Sequence, residues 1–97
     1  MLRVERDPFC ELLFFIFENP GRYGFWMKDM LFPLDIVWID ANKTVIGIEK
    51  NLSPETYPNV YTPVSSISYA LELNAGSAQE FGLKPGTQLR FDTSSSR

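Results

Sequence analysis

The chain contains no histidine and a single cysteine, Cys10. Without histidine it lacks the commonest general base and the commonest transition-metal ligand. Ser-His-Asp and Cys-His arrangements are therefore excluded. A single cysteine permits no internal disulfide. Cys10 also has no evident basic neighbour to activate its thiol, which argues against a nucleophilic role. Clustered positive charge is missing as well. Nine Lys and Arg face twelve Asp and Glu, giving a net charge of −3 and a pI near 4.8. Phosphate backbones need clustered Lys and Arg, so no nucleic-acid partner is expected. Long apolar runs are absent too. The longest candidate, residues 12–17, lies between Glu11 and Glu18 and is too short to span a bilayer or to serve as a secretory signal. As the chain stands this fits a cytoplasmic protein, or an envelope or extracellular one if a leader has been removed.

What is present is an ordinary globular composition with an unusual share of rings. Of the 97 residues, 44% are hydrophobic, 22% charged and 14% aromatic. The length suggests one domain over residues 1–97, with no linker and no internal repeat. Each aromatic side chain buries about 150–250 Å², so a few can fill a small core.

The pattern along the chain is that of strands. Asp7-Pro8 marks a turn, and Leu12 to Phe17 reads as a buried, Phe-rich strand ending at Glu18-Asn19-Pro20-Gly21. Tyr23 to Met30 is the next candidate strand. Pro33 belongs at a strand start or edge, because proline donates no ladder hydrogen bond. Leu34 to Asp40 is apolar on both faces, as in a strand covered on both sides. Asp40-Ala41-Asn42-Lys43 predicts a hairpin turn, with Val45 to Lys50 returning. Gly47 there marks a bulge or a close backbone approach. Residues 51–66 carry three prolines and read as a loop, either a plain crossover or a binding loop. Ile67 to Leu73 alternates and predicts a half-buried strand with Glu72 on its polar face. Ser77 and Glu80 fit a capping box, and Gly82 is placed to end a very short helix. Gln88 to Asp92 is expected to form a last strand, and residues 93–97 a frayed tail. The fold class is mainly β (α+β): a small barrel-like antiparallel or mixed sheet with one short helix near residues 76–82.

These residues also carry a resemblance. Phe25-Trp26-Met27-Lys28, then Pro33-Leu34-Asp35-Ile36 and Trp38-Ile39-Asp40, resemble the signature of the DUF192 family, also called UPF0127. Ala70-Leu71-Glu72 with Ala75-Gly76, and Gly82-Leu83-Lys84-Pro85-Gly86, resemble its second half in order and spacing. The resemblance implies a small, mainly β domain with a short helix, without an established activity. It also implies an N-terminal strand, for which only residues 1–11 remain here, so that strand is expected to be missing or reduced. Asp29-Met30 stands where the family often has Asn-Thr.

The candidate site joins Trp26, Lys28, Asp35 and Glu72 with Tyr57 and Tyr61 from the loop. Asp35 lies in an apolar run, and a buried carboxylate needs a cation or several donors. Lys28 is the expected partner if the strands flanking Pro33 form a hairpin. Such a cluster can be a structural salt bridge, a site for a small polar molecule, sugar or peptide, or an acid–base pair. The first function expected is a binding or accessory module. A hydrolase or lyase using Asp35 or Glu72 as general acid or base is the alternative, and a module that self-associates through an exposed strand edge is a third. No cofactor is expected. No metal is expected either: residues 40–44 begin like a calcium loop but place Val45 where the turn needs glycine.

Overall fold

The computed structural model describes residues 2–7 and 12–91 of the chain. The turn at Asp7-Pro8, Cys10, the end of the last expected strand at Asp92 and the tail 93–97 lie outside the described residues. Among the described residues seven strands form: β1 (Leu2–Asp7), β2 (Leu12–Gly21), β3 (Phe25–Trp26), β4 (Leu34–Ile39), β5 (Val45–Leu52), β6 (Val60–Tyr61) and β7 (Ile67–Asn74). They are joined by a 3-10 turn at Pro54–Thr56 and one helix, α1 (Ser77–Glu80). Five strands make an antiparallel sheet in the order β1-β2-β7-β4-β5, and β3 pairs with β6 in a separate two-stranded sheet. The large sheet does not close into a barrel; it stays open, with β1 and β5 at its edges. An N-terminal strand is present, since β1 pairs with β2 from Leu2↔Phe17 to Asp7↔Leu12.

The continuous apolar run of β4 has its expected cause. Every residue from Leu34 to Ile39 is buried, because β4 sits between β7 and β5 and is covered on both faces. Leu34, Ile36 and Trp38 face one core with Met27, Leu52, Ile67 and Ala70. Val37 and Ile39 face the other with Val45, Leu73 and Ala78. The first core is roofed by the small sheet: Phe25 meets Phe15 at 4.9 Å and Trp38 at 5.4 Å between ring centroids. The second is roofed by α1 and the segment after it, where Phe91 meets both Phe14 and Tyr69 at 4.8 Å.

Several local expectations change for physical reasons. The strand expected over Tyr23–Met30 shrinks to Phe25–Trp26, and its partner is β6 rather than β4. The chain turns at Lys28 and Asp29, with Asp29 in the left-handed region (φ 62°). β2 runs four residues past its expected end, with an irregular register between Ile16 and Gly21, where Pro20 has no amide to donate. The stretch 51–66 is not a plain loop, since it holds the 3-10 turn and β6. β7 is covered on both faces, with Ser68 and Ala70 buried beneath the small sheet's side of the core. In place of a last strand, Gln88 makes a single bridge to Thr44. Gly47 lies where the β4–β5 register shifts, between the Trp38 and Ile39 pairings, and a Cβ there would stand 3.3 Å from Cδ1 of the Trp38 side chain. Asp40 builds the expected hairpin turn, its Oδ1 accepting the N–H groups of Asn42 (2.9 Å) and Thr44 (3.0 Å).

Candidate functional site

Leu52, Leu34 and Asn74 share one row across the sheet. Three connections leave from this end: residues 27–33 into β4, residues 53–59 after β5, and the β7–α1 turn. Asp35 stands next to that row on the α1 side and is 1% exposed. Its carboxylate is met by three backbone amides. Oδ1 accepts from Asn51 N–H at 2.9 Å, and Oδ2 accepts from Gly76 N–H and Ala78 N–H, each at 3.0 Å. The donors come from two stretches of chain that the sequence holds far apart, the end of β5 and the start of α1. Two are left-handed residues, Asn51 (φ 55°) and Gly76 (φ 91°).

This geometry differs from three sequence readings. The expected capping box at Ser77 does not form. The N-cap is Gly76, with no side-chain cap of its own, and the amides at the helix start are satisfied by Asp35 reaching across from the sheet. Lys28 is not the partner of Asp35 either. It is exposed, and its ammonium lies 5.8 Å from the centre of the Trp26 ring. Asp35 and Glu72 are also separated, because Asp35 is paired with Leu73 and Glu72 with Ile36, which puts the two carboxylates on opposite faces of the sheet. The Asp35 carboxylate is buried and three of its roughly four acceptor sites are taken by backbone amides, so in this geometry it is engaged by the backbone.

What the structure does bring together is Trp26, Lys28 and Tyr57. Trp26 is 47% exposed and Tyr57 43%, with ring centroids 5.0 Å apart and planes tilted by 59°. Tyr57 is placed by the 3-10 turn, which Ser53 caps by accepting Glu55 N–H. Trp26 is placed by its pairing with Val60. Tyr61, opposite Phe25, packs inward against the first core and is not part of the exposed pair.

Glu72 is half-buried in the middle of the sheet, between Leu13 on β2 and Ile36 on β4. Glu49 lies on the far side of Ile36 and accepts from the Trp38 indole N–H at 3.3 Å. Arg6 occupies the register position beyond Leu13. Burial pushes the Glu72 carboxyl above the usual carboxylate range. Two residues along the same face, Asn74 joins Phe32, Pro33 and Ala75 in lining an open cleft of about 360 Å³. The cleft was not foreseen; the only local signal was the apolar pair Leu31-Phe32 placed in a turn before Pro33, where both remain exposed. No cluster of acidic or cysteine side chains among the described residues is arranged to hold a metal ion. No described helix is long and apolar enough to cross a membrane.

The pattern in the two halves of the chain is now matched by the fold. Residues 8–91 match the DUF192 family, described as an uncharacterized ACR. The chain belongs to that family. Two solved structures share the fold of this DUF192 domain. One, from Sinorhizobium meliloti 1021 and assigned provisionally as a transcription regulator, is 31% identical, with a TM-score of 0.74 over 79% of this chain and 59% of that one. The other, a protein of unknown function from Novosphingobium aromaticivorans, is 28% identical, with a TM-score of 0.77 over 84% and 57%. The chain thus spans less than three fifths of the length of each. No curated protein matches it.

Proposed function

We propose that this DUF192 domain is a binding module for a polar ligand that presents a flat apolar face, a sugar or a peptide, with Trp26, Tyr57 and Lys28 as the contact surface. The observation that carries the reading is the exposed, tilted Trp26–Tyr57 pair held on structured backbone. Rings of this size are normally spent on a core, and this chain has Phe25, Trp38 and several others there. Two rings kept half outside offer apolar area with polar tips, the usual composition of recognition surfaces. Lys28 adds a cation beside them, suited to a carboxylate or to ring hydroxyls. The net charge of −3 does not favour a phosphate backbone as the ligand, and the regulatory assignment of the Sinorhizobium relative concerns a longer chain.

A thermal-shift screen against neutral and acidic oligosaccharides, short peptides, nucleotides and metals tests this. A sugar or peptide is expected to raise Tm by mass action, and Trp26→Ala to abolish the shift. A shift that survives undiminished in Trp26→Ala would refute the placement of the site.

A second reading is acid–base chemistry at Glu72, as in a hydrolase or lyase. It is favoured by the half-buried carboxyl whose proton affinity burial raises, close along β7 to the cleft at Asn74. Its mark would be turnover lost in Glu72→Gln and kept in Trp26→Ala.

A further inference from the structure

We infer that Asp35 is a positioning residue that holds the aromatic surface and the cleft in a fixed relation although its side chain faces neither. The inference rests on the binding-module reading for its functional meaning, but its geometry stands alone.

The argument starts from what each of the three amides leads to. Asn51 N–H anchors the chain where β5 gives way to the 53–59 segment. That segment carries Tyr57 and then β6, whose Val60 pairs with Trp26. Gly76 N–H anchors the turn that directly follows Asn74 and Ala75, one wall of the cleft. Ala78 N–H anchors the first turn of α1. The other wall, Phe32 and Pro33, runs straight into Leu34 and Asp35 themselves, and Ala75 N–H donates to the Pro33 carbonyl at 3.3 Å. One carboxylate therefore ties both cleft walls and the base of the Tyr57 segment to the most buried strand of the sheet.

The backbone at these points would not hold itself. A non-glycine residue in the left-handed region, such as Asn51, is held there against its own steric preference, less strongly for Asn than for most. A four-residue helix has no cooperative stability of its own. Carboxylate acceptors make hydrogen bonds roughly twice as strong as neutral ones, and here each bond is made to a segment that lacks a regular ladder at that point.

The test is Asp35→Asn, which keeps the shape but puts an NH2 group where one of the two acceptor oxygens was. In two-dimensional amide NMR of the folded variant, the Trp26 indole N–H and the Asn74 side-chain amide are expected to shift or broaden together. The Asn51, Gly76 or Ala78 amides should exchange at least about tenfold faster. Val37→Ala, on the same face of the same strand, is the control for simple destabilisation and should leave the Trp26 and Asn74 signals in place. If Asp35→Asn leaves both signals unmoved, or Val37→Ala moves them as far, the inference is overturned. Should Asp35→Asn not fold, native-state exchange on the wild type decides. The three amides are then expected to open as one unit, and unrelated exchange rates would refute the coupling. Ligand binding enters neither measurement, so the failure of the binding reading and the failure of this one remain distinct.

Discussion

Truncating Asp35 to alanine removes one acceptor group and strands three donors, and their surroundings set the cost of each. Ala78 is fully buried, so its N–H has no water to turn to, and an unsatisfied buried donor costs about 1–3 kcal/mol. Gly76 and Asn51 are exposed residues, and water can replace the lost acceptor, leaving about 0.5–1.5 kcal/mol for each bond. Part of this is returned, because the variant no longer desolvates a carboxylate. A net loss of about 3 kcal/mol results, a large fraction of the roughly 5–15 kcal/mol that holds a domain together. For a domain of this length that corresponds to a fall in Tm of about 12–24 °C. Urea denaturation followed by far-UV circular dichroism measures it, and the midpoint should fall with the slope unchanged. Had Asp35 been a catalytic carboxylate held at a cost to stability, the alanine variant would match or exceed the wild type. A loss below about 0.5 kcal/mol would therefore refute the reasoning.

Three further outcomes follow from the geometry. Gly24→Ala would set a Cβ 2.6 Å from Cγ1 of Val60 and 3.3 Å from Cγ2 of Thr62, so it should destabilise the β3–β6 pair by about 1–3 kcal/mol, and Val60→Ala should recover most of that in the double variant. Trp26→Ala, at a half-exposed position, should cost about 1 kcal/mol or less by denaturant titration, which separates recognition from folding at that residue. Glu72 makes stability depend on pH in a defined sense. Burial raises its carboxyl in the folded state, so the native protein binds the proton more readily than the unfolded chain. Its contribution to stability then falls as pH rises from the ordinary carboxylate value through the raised one, and is flat beyond. Glu72→Gln carries no such charge. Relative to the wild type it should gain stability across that window in a Tm-against-pH series, with Glu49 beyond Ile36 as the charged neighbour in the row among the described side chains. A wild type and variant whose curves stay parallel would show that burial does not govern this group.

The strand skeleton could be read from the sequence where the signal was local. The apolar run 34–39, the turn at Asp40, the alternation from Ile67 and the stop at Gly82 each depend on neighbours a few residues away. The site was less legible because its organising contacts are not between side chains. Side-chain types suggest a cation for Asp35, and Lys28 is the nearest candidate by position, but the donors are peptide groups of Asn51, Gly76 and Ala78, which every residue carries and no sequence pattern distinguishes. The same blind spot explains the capping box. Ser77 and Glu80 have the right spacing, but a carboxylate from a strand some forty positions earlier already occupies the helix start. Barrel closure failed for a related reason: Pro33 and the left-handed Asp29 lift β3 out of the main sheet, and sequence alternation does not say which ladder a short strand joins.

The strand order has a consequence for how the chain acquires its shape. The phenylalanine-rich stretch of β2 is flanked by β1, its neighbour in sequence, and by β7, which is synthesised much later: position 14 waits for position 71. Until that partner arrives, one side of an apolar, unbridged ribbon is open to any other ribbon it meets. Contacts closing so large a loop form slowly. The hazardous interval for this protein is therefore during synthesis and refolding rather than in the finished state, and yield should fall with concentration and recover at lower temperature.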